Sequence, residues 1–425
     1  MSEAYRRVGL VPVLAARPAR AEAIHLALGE EGIVVQVEER SPAGHVRTVA
    51  RYRLGRAESR LSVPATREGQ MSGKIRAQLI GATGYGGLGI LELLMQHPNF
   101  EIAALVARDD AGKRIDDVYP HLAGRCDLVV QAPDSVEVGA DSDVVIFATP
   151  DRVSQQYAAA LTARGVRFID YSGDFRFTST DDYARYAERH PSIKETTHDA
   201  ASLLGRNAYG VSELNAEAIA GAPMVGNPGC FAIGIILGLA PLYRAGLVAD
   251  GLVAVDGLTG SSGAGKKPAP LQHFSHLNDN VVPYRVLNHQ HVVEAEMTLG
   301  RLGAGGGATV DFIPHLLGTT RGILNTMHLT LTKSVSRDAL MEMFREAYAG
   351  HPFVRVLDTP PTLKGPLGSN YIDLSVFVAG DSKRAVVMSS IDNLMKGQSG
   401  SAMQNLNIMF GLPQTAGMER GPLYP

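Results

Sequence analysis

Three glycines, Gly81, Gly84 and Gly87, stand between the apolar run IRAQLI (75–80) and the helix-like segment LGILELLMQ (88–96). A glycine-rich turn from a strand into a helix lets the backbone approach a pyrophosphate, and the helix start offers free N–H groups and a positive dipole end. The spacing is G-x-x-G-x-x-G, not G-x-G-x-x-G, so the triplet alone also suits a structural bend. Its setting argues for a dinucleotide site. FEIAALVA (100–107) reads as a second strand and DVVIFAT (143–149) as a third, followed by a helix at 153–164 and the strand VRFIDYS (166–172). Strands alternating with helices predict a doubly wound, Rossmann-type parallel α/β sheet.

The texture changes after Cys230. A helix over 231–244 leads to the strand LVAVDGL (252–258), and longer strand-like runs follow at 325–335, 371–380 and 383–391. DALMEMFREAYAG (338–350) is a helix between them, and a last helix covers 398–410. These features predict a second, α+β domain with a mixed sheet.

Composition limits the function classes. The net charge of −3 gives no electrostatic reason to expect nucleic acid or an anionic membrane as partner. The apolar run Cys230–Tyr243 is too short to span a bilayer. Two cysteines, Cys126 and Cys230, cannot build a disulfide framework, and a cytoplasmic setting is expected. Residues 1–70 stand apart, with 11 Arg and 8 Glu but no Lys or Asp. VGLVPVL reads there as a strand, AEAIHLALGEEG as a helix and GIVVQVEE as a strand; the segment reads equally as an extension upstream of Met71.

Cys230 follows Asn-Pro-Gly and opens an apolar helix. A thiol at a helix N-terminus is expected to have a lowered pKa, the placement a nucleophile needs. Cys126, in AGRCDLVV, has no such setting and reads as structural. A thiolate needs a group that moves protons at neutral pH, and the pair His289 and His291 in NHQHVVEAE stands out. A metal there would require a third ligand. Glu294 and Glu296 are near, but no further cluster follows, so no metal is expected. TGSSGAGKKP (259–268) has an anion-binding pattern without P-loop spacing. At the end of the second strand stands Ala107-Arg108-Asp109-Asp110, with Lys113 behind. Arg108 suits the 2′-phosphate of NADP, while Asp109 leaves NAD open.

In order along the chain, GATGYGG, YSGDFRF (171–177), YGVSELN (209–215), GNPGCFA (226–232), SSGAGKKP, NHQH, TTRGILNT (319–326) and NLMKGQSGSAMQNLNIMFGLPQTAG (393–417) resemble the N-acetyl-gamma-glutamyl-phosphate reductase family of arginine biosynthesis. The likeness covers about 71–417 and leaves out 1–70. Aspartate-semialdehyde dehydrogenases share the fold type but not the final segment. Gln290 replaces the arginine of the family's His-Arg-His, Ala107 a serine and Gly173 an alanine. The resemblance implies NADPH-dependent reduction of the acyl phosphate to N-acetylglutamate 5-semialdehyde through a Cys230 thioester, with His289 as acid/base and His291 orienting substrate. The backbone N–H of Cys230 would hold the oxyanion. It also implies cofactor contacts at Gly81, Thr83, Gly84, Tyr85, Gly86, Gly87, Arg108, Ser172, Gly263, Asn393 and Gln404. Substrate contacts would be Asn227, Ser261, Lys266 and Arg321, with Lys266 on the phosphate and Arg321 on the carboxylate. The dinucleotide-binding domain would comprise 71–228 and 393–425, and the catalytic and oligomerisation domain 229–392, in a homodimer or homotetramer. Two other readings stay open: the same reaction on the one-carbon-longer N-acetyl-aminoadipyl phosphate of lysine biosynthesis, and a non-catalytic dinucleotide-sensing regulator.

Overall fold

The computed structural model describes residues 21–29, 32–40, 46–55, 73–303 and 307–424. The chain divides into two units, Met1–Gln70 and Met71–Pro425. In the first, β1 (Ala21–Gly29), β2 (Gly32–Arg40) and β3 (Val46–Gly55) form an antiparallel sheet in that order. The helix expected over AEAIHLALGEEG is therefore a strand. Ile24, Leu26 and Leu28 recur with period two, and they pair with Val37, Val35 and Ile33. The strand expected at VGLVPVL lies outside the described residues.

In the second unit the first sheet contains β4 (Ile75–Ile80), β5 (Phe100–Val106), β6 (Val130–Gln131), β7 (Val144–Phe147), β8 (Arg167–Asp170), β9 (Asn207–Tyr209) and β10 (Met224–Gly226). All its pairings are parallel, in the order β6-β5-β4-β7-β8-β10-β9. The chain leaves β4 in one direction to β5 and returns on the other side to β7. The crevice at the carboxyl ends of β4 and β7 is thus the topological switch point where such sheets bind ligands. Gly81 closes it from one side: its φ is +88°, and a Cβ there would lie 2.3 Å from the Ala148 carbonyl oxygen. The helix Tyr85–Gln96 starts within the glycine turn and buries Ile90, Leu91 and Leu94 on the sheet. The late helix Gly400–Met409 packs Ala402, Met403 and Leu406 into that same core.

The second sheet contains β11 (Val248–Thr259), β12 (Val281–Pro283), β13 (Thr309–Leu317), β14 (Ile323–Leu331), β15 (Val354–Val356), β16 (Ile372–Val378) and β17 (Arg384–Ile391). It is mixed, in the order β12-β13-β11-β14-β17-β16-β15. The pairs β11–β13 and β15–β16 are parallel and the others antiparallel. The helix Cys230–Arg244 is apolar on nearly every side because it is buried on nearly every side, packing Phe231, Ile235 and Leu239 with Val255, Phe312 and Met327. NHQHVVEAE, for which the sequence predicted no element, runs into the helix His291–Leu302, which buries Val292, Val293 and Leu299 against the same core.

Candidate active site

Cys230 is the first residue of its helix, and Gly229 is the N-cap. The turn ahead of it is fixed from four directions. Asn227 donates its N–H to the Asp170 carbonyl (2.8 Å) and its Nδ2 to the Gln398 carbonyl (2.9 Å). Arg176 donates Nε to the Asn227 carbonyl (2.8 Å). Gly229 donates its N–H to Glu294 Oε2 (2.9 Å). Glu294 has no solvent exposure and is held by Arg176 Nη1 on Oε1 (2.8 Å) and the Tyr209 hydroxyl on Oε2 (2.6 Å). Its charge is thus paired and hydrogen-bonded, the condition for burying a carboxylate.

His291 reaches this turn from its own helix. A Cβ on Gly229 would lie 2.6 Å from His291 Nε2, so only glycine permits the approach. His291 is half-buried, and its Nδ1 is inaccessible and has no hydrogen-bond partner. Burial, with neighbouring His289 and Arg176, drives its pKa well below the ordinary histidine value, leaving a neutral imidazole. His289 lies differently. Its Nδ1 accepts the His291 backbone N–H (3.2 Å), and its ring packs on Phe231, Phe312 and Tyr284. Burial lowers its pKa to about 3. His291, Cys230 and Gly229 line one cavity with the glycine turn; His289 does not.

The thiol departs from the sequence expectation. Burial pushes the Cys230 pKa up to about 11, although Arg176 and the N–H groups of the helix start pull it down. Desolvation of the anion outweighs the dipole in the free enzyme.

The C-terminal segment closes the site. Residues Met395–Ser399 form one π-helical turn leading into the last helix. A Cβ on Gly397 would lie 2.8 Å from Cys230 Cβ, and Gln398 packs its carboxamide against Gly86. The turn hangs on a buried ion pair. Lys396 Nζ meets Glu213 Oε1 at 2.6 Å and Gln404 Oε1 at 2.9 Å, with both charged side chains at 0% exposure. Burial alone would raise the Glu213 carboxyl, but the Lys396 ammonium holds it below its ordinary value. Lys396→Met should cost about 3–5 kcal/mol by stranding the carboxylate. Adding Glu213→Gln should restore most of that, as read from denaturant midpoints.

The predicted site residues separate into groups. Gly84, Tyr85, Gly86, Asn227, Cys230, Gly263, Lys266, His291 and Asn393 line the cavity. Gly81 and Gly87 shape the turn beneath it, and Thr83 accepts the Tyr119 hydroxyl on its carbonyl (2.8 Å). Four expected contacts are otherwise engaged. Gln404 is buried in the Lys396 network, because its amide is what completes that ion pair. Ser172 donates Oγ to Asp170 (2.6 Å), and its neighbour Tyr171 lines the cavity. Ser261 bonds the Thr319 carbonyl, and the next residue, Ser262, lines the cavity. Arg321 Nη1 lies 3.5 Å from the buried Asp392 carboxylate. Asn227 keeps its place, but its side chain is already bonded by Gln398 and Asn405 (3.2 Å). Arg176, Tyr209 and Glu294 were missed as functional residues. Arg176 and Tyr209 sit within YSGDFRF and YGVSELN, and Glu294 lies one helical turn after His291.

The cavity suits a nicotinamide dinucleotide. Thr149 Oγ1, the Tyr171 hydroxyl and Gln398 Oε1 are buried without partners, and all three residues line it beside Gly84–Gly86. Such orphaned polar atoms need a ligand or water to satisfy them. Among the described residues no group of His, Cys, Asp and Glu could hold a metal ion, and no helix is long and apolar enough to cross a membrane.

Comparison with known proteins agrees with this geometry. Residues 76–222 match the family model described as semialdehyde dehydrogenase, NAD binding domain. Residues 230–393 match semialdehyde dehydrogenase, dimerisation domain. Aspartate semialdehyde dehydrogenase II from Vibrio cholerae, complexed with ASA, superposes with a TM-score of 0.60 at 18% identity over 80% of this chain and 98% of its own. The enzyme from Candida albicans, with NADP, gives 0.57 at 19% over 79% and 98%. These two show the fold. The fold and the matched models define an oxidoreductase of the semialdehyde dehydrogenase class. Sequence relatives narrow it. N-acetyl-gamma-glutamyl-phosphate reductases from Desulforudis audaxviator and Symbiobacterium thermophilum are each 41% identical, over 83% of this chain and 100% and 99% of theirs. That of Bacillus cereus is 37% identical over 82% of this chain and 100% of its own. The chain belongs to the N-acetyl-gamma-glutamyl-phosphate reductase family.

Proposed function

We propose that this enzyme reduces N-acetyl-gamma-glutamyl phosphate to N-acetylglutamate 5-semialdehyde and phosphate, with NADPH, in arginine biosynthesis. The observation that carries the mechanism is a nucleophile beside a proton acceptor. Cys230, at a helix start, shares a cavity with a neutral His291 whose Nδ1 is unpartnered.

The Cys230 thiol gives its proton to the His291 imidazole as sulfur attacks the acyl carbon. The S–C bond forms, the bond from carbon to the phosphate oxygen breaks, the phosphate leaves as hydrogen phosphate with a proton taken up from solvent, and a thioester remains on Cys230. The backbone N–H groups at the helix start stabilise the oxyanion in each tetrahedral state. A nicotinamide bound in the cavity would supply the hydride that reduces the thioester carbon. Collapse of the resulting thiohemiacetal breaks the C–S bond, releases the aldehyde and returns a proton to sulfur from the imidazolium. Arg176 and Glu294 touch none of the reacting atoms; they hold the turn that presents Cys230.

Gly84, Tyr85, Gly86, Thr149, Tyr171 and Gln398 would hold the dinucleotide, and Arg108 would meet its 2′-phosphate. Residues 71–228 with 393–425 form the dinucleotide half and 229–392 the catalytic half of a homo-oligomer. The test is NADP reduction with N-acetylglutamate semialdehyde and phosphate, run beside the one-carbon-longer homologue. Phosphate-dependent NADPH formation that favours the shorter aldehyde is expected. No phosphate dependence, or preference for the longer aldehyde, would sink the assignment.

The relatives match over 353 and 355 residues of this chain, and both matched family models lie within the second unit. A chain beginning at Met71 should therefore keep phosphate-dependent turnover within about twofold of the full chain, because both sheets and their cores lie after that point. Steady-state rates of the two chains, compared at equal concentration, check this.

A further inference from the structure

Lys266 belongs to the loop that follows β11, yet its ammonium reaches the end of β5. Its Nζ lies 4.8 Å over the Tyr119 ring and 4.0 Å from Asp110 Oδ2. Tyr119 is itself tied to the glycine turn through its hydroxyl on the Thr83 carbonyl. Asp110 stands two residues past Arg108, in the left-handed region at φ +68°, and also holds Lys113 Nζ at 2.9 Å. Lys113 and Lys266 thus both approach the Asp110 carboxylate, two residues along the chain from exposed Arg108. In a doubly wound sheet the end of the second strand is where the adenosine ribose presents its 2′-substituent.

We infer that Lys266, with Arg108, binds the 2′-phosphate of the dinucleotide, and does not bind the phosphate of the substrate. The inference rests on the NADP reading of the cleft. A 4.0 Å contact to one carboxylate is weak, and the lysine side chain is 43% exposed. A compact ammonium on a flexible stem can turn from Asp110 onto a phosphate dianion while its seat on the Tyr119 ring is kept. The consequence reaches the reacting end. The same loop brings Ser262 and Gly263 to the cavity, and Ser262 Oγ accepts from Asn393 Nδ2 at 2.9 Å. Capture of the 2′-phosphate by Lys266 draws that loop onto the cofactor, which the unphosphorylated dinucleotide cannot do.

Calorimetric titration of the full chain with 2′,5′-ADP and with 5′-AMP reads this contact without turnover. The wild-type protein should bind 2′,5′-ADP at least about tenfold more tightly at low salt. Lys266→Gln should lose about tenfold of that preference with 5′-AMP affinity unchanged, and Lys266→Arg should keep most of it. Full preference in Lys266→Gln overturns the inference, and so does an equal loss for both nucleotides. A raised KM for inorganic phosphate in that variant, with 2′,5′-ADP affinity intact, would return the lysine to the substrate. If the wild-type protein fails to distinguish the two nucleotides, the NADP reading itself falls, and the role of Lys266 with it.

Discussion

Cys230→Ser should abolish phosphate-dependent turnover, by on the order of 10³-fold or more, while dinucleotide binding stays near wild type. The serine hydroxyl is isosteric enough to keep the helix start but ionises far less readily than a thiol. Cys126→Ser is the control: Cys126 packs in the core of the parallel sheet, away from the cavity lining, and its loss should touch stability and leave the rate intact. The raised pKa of Cys230 adds a second reading. With the thiol near 11, about one molecule in 10⁴ carries a thiolate at pH 7. Alkylation by iodoacetamide should be slow there and keep climbing past pH 9, where an ordinary thiol levels off. A plateau by pH 8 would show that the helix dipole outweighs burial after all. A slow resting thiol is consistent with a nucleophile that is deprotonated only as it attacks, by a base already in place.

The alternation of strand and helix from Ile75 onward is legible because each element is long enough to show its period, and the glycine turn marks the crevice. The second sheet was legible where strands alternate strictly, as in β14, where Ile323, Asn325, Met327, Leu329 and Leu331 point inward. The helix His291–Leu302 was not. Its first turn carries two titratable side chains turned inward, half-buried His291 and fully buried Glu294, and a buried charge disguises an amphipathic stripe. In the N-terminal segment the opposite error occurred. Ala, Leu and Glu favour a helix, but pairing across Gly29 and Gly32 overrode that preference.

Of the candidate site, the cysteine at a helix start and the glycine turn were legible, because both are set by local backbone geometry. What could not be read was the partnership of residues far apart in the chain. Glu294 meets Arg176 and Tyr209 across separations of 118 and 85 residues, and nothing in those residue types announces the contact. Gln404 shows the converse. It sits in a motif of the family's final segment, but buried polar side chains must satisfy one another first, and its amide is consumed by Lys396, Glu213 and Gln414.

The two histidines offer the sharpest test of that distinction. His291→Ala should lower kcat by roughly 10²–10⁴-fold, the size of lost general acid–base assistance. His289→Ala should do less to kcat. Its ring fills a space between Phe231, Phe312 and Tyr284, so truncation opens a cavity and costs about 2–4 kcal/mol of stability. The sequence resemblance favoured the reverse order, and a larger kcat loss for His289→Ala would restore it. The pH profile separates the two further. A histidine whose pKa is held below 6.5 is neutral, and able to accept a proton, throughout the neutral range; it is lost as a base only as pH falls through its own lowered value. The acid limb of kcat/KM in the wild-type enzyme should accordingly lie below pH 6.5. His291→Ala should remove that limb along with the activity, and His289→Ala should leave it in place. An acid limb centred at or above 6.5 would mean that the base is a group other than a His291 whose pKa is held low.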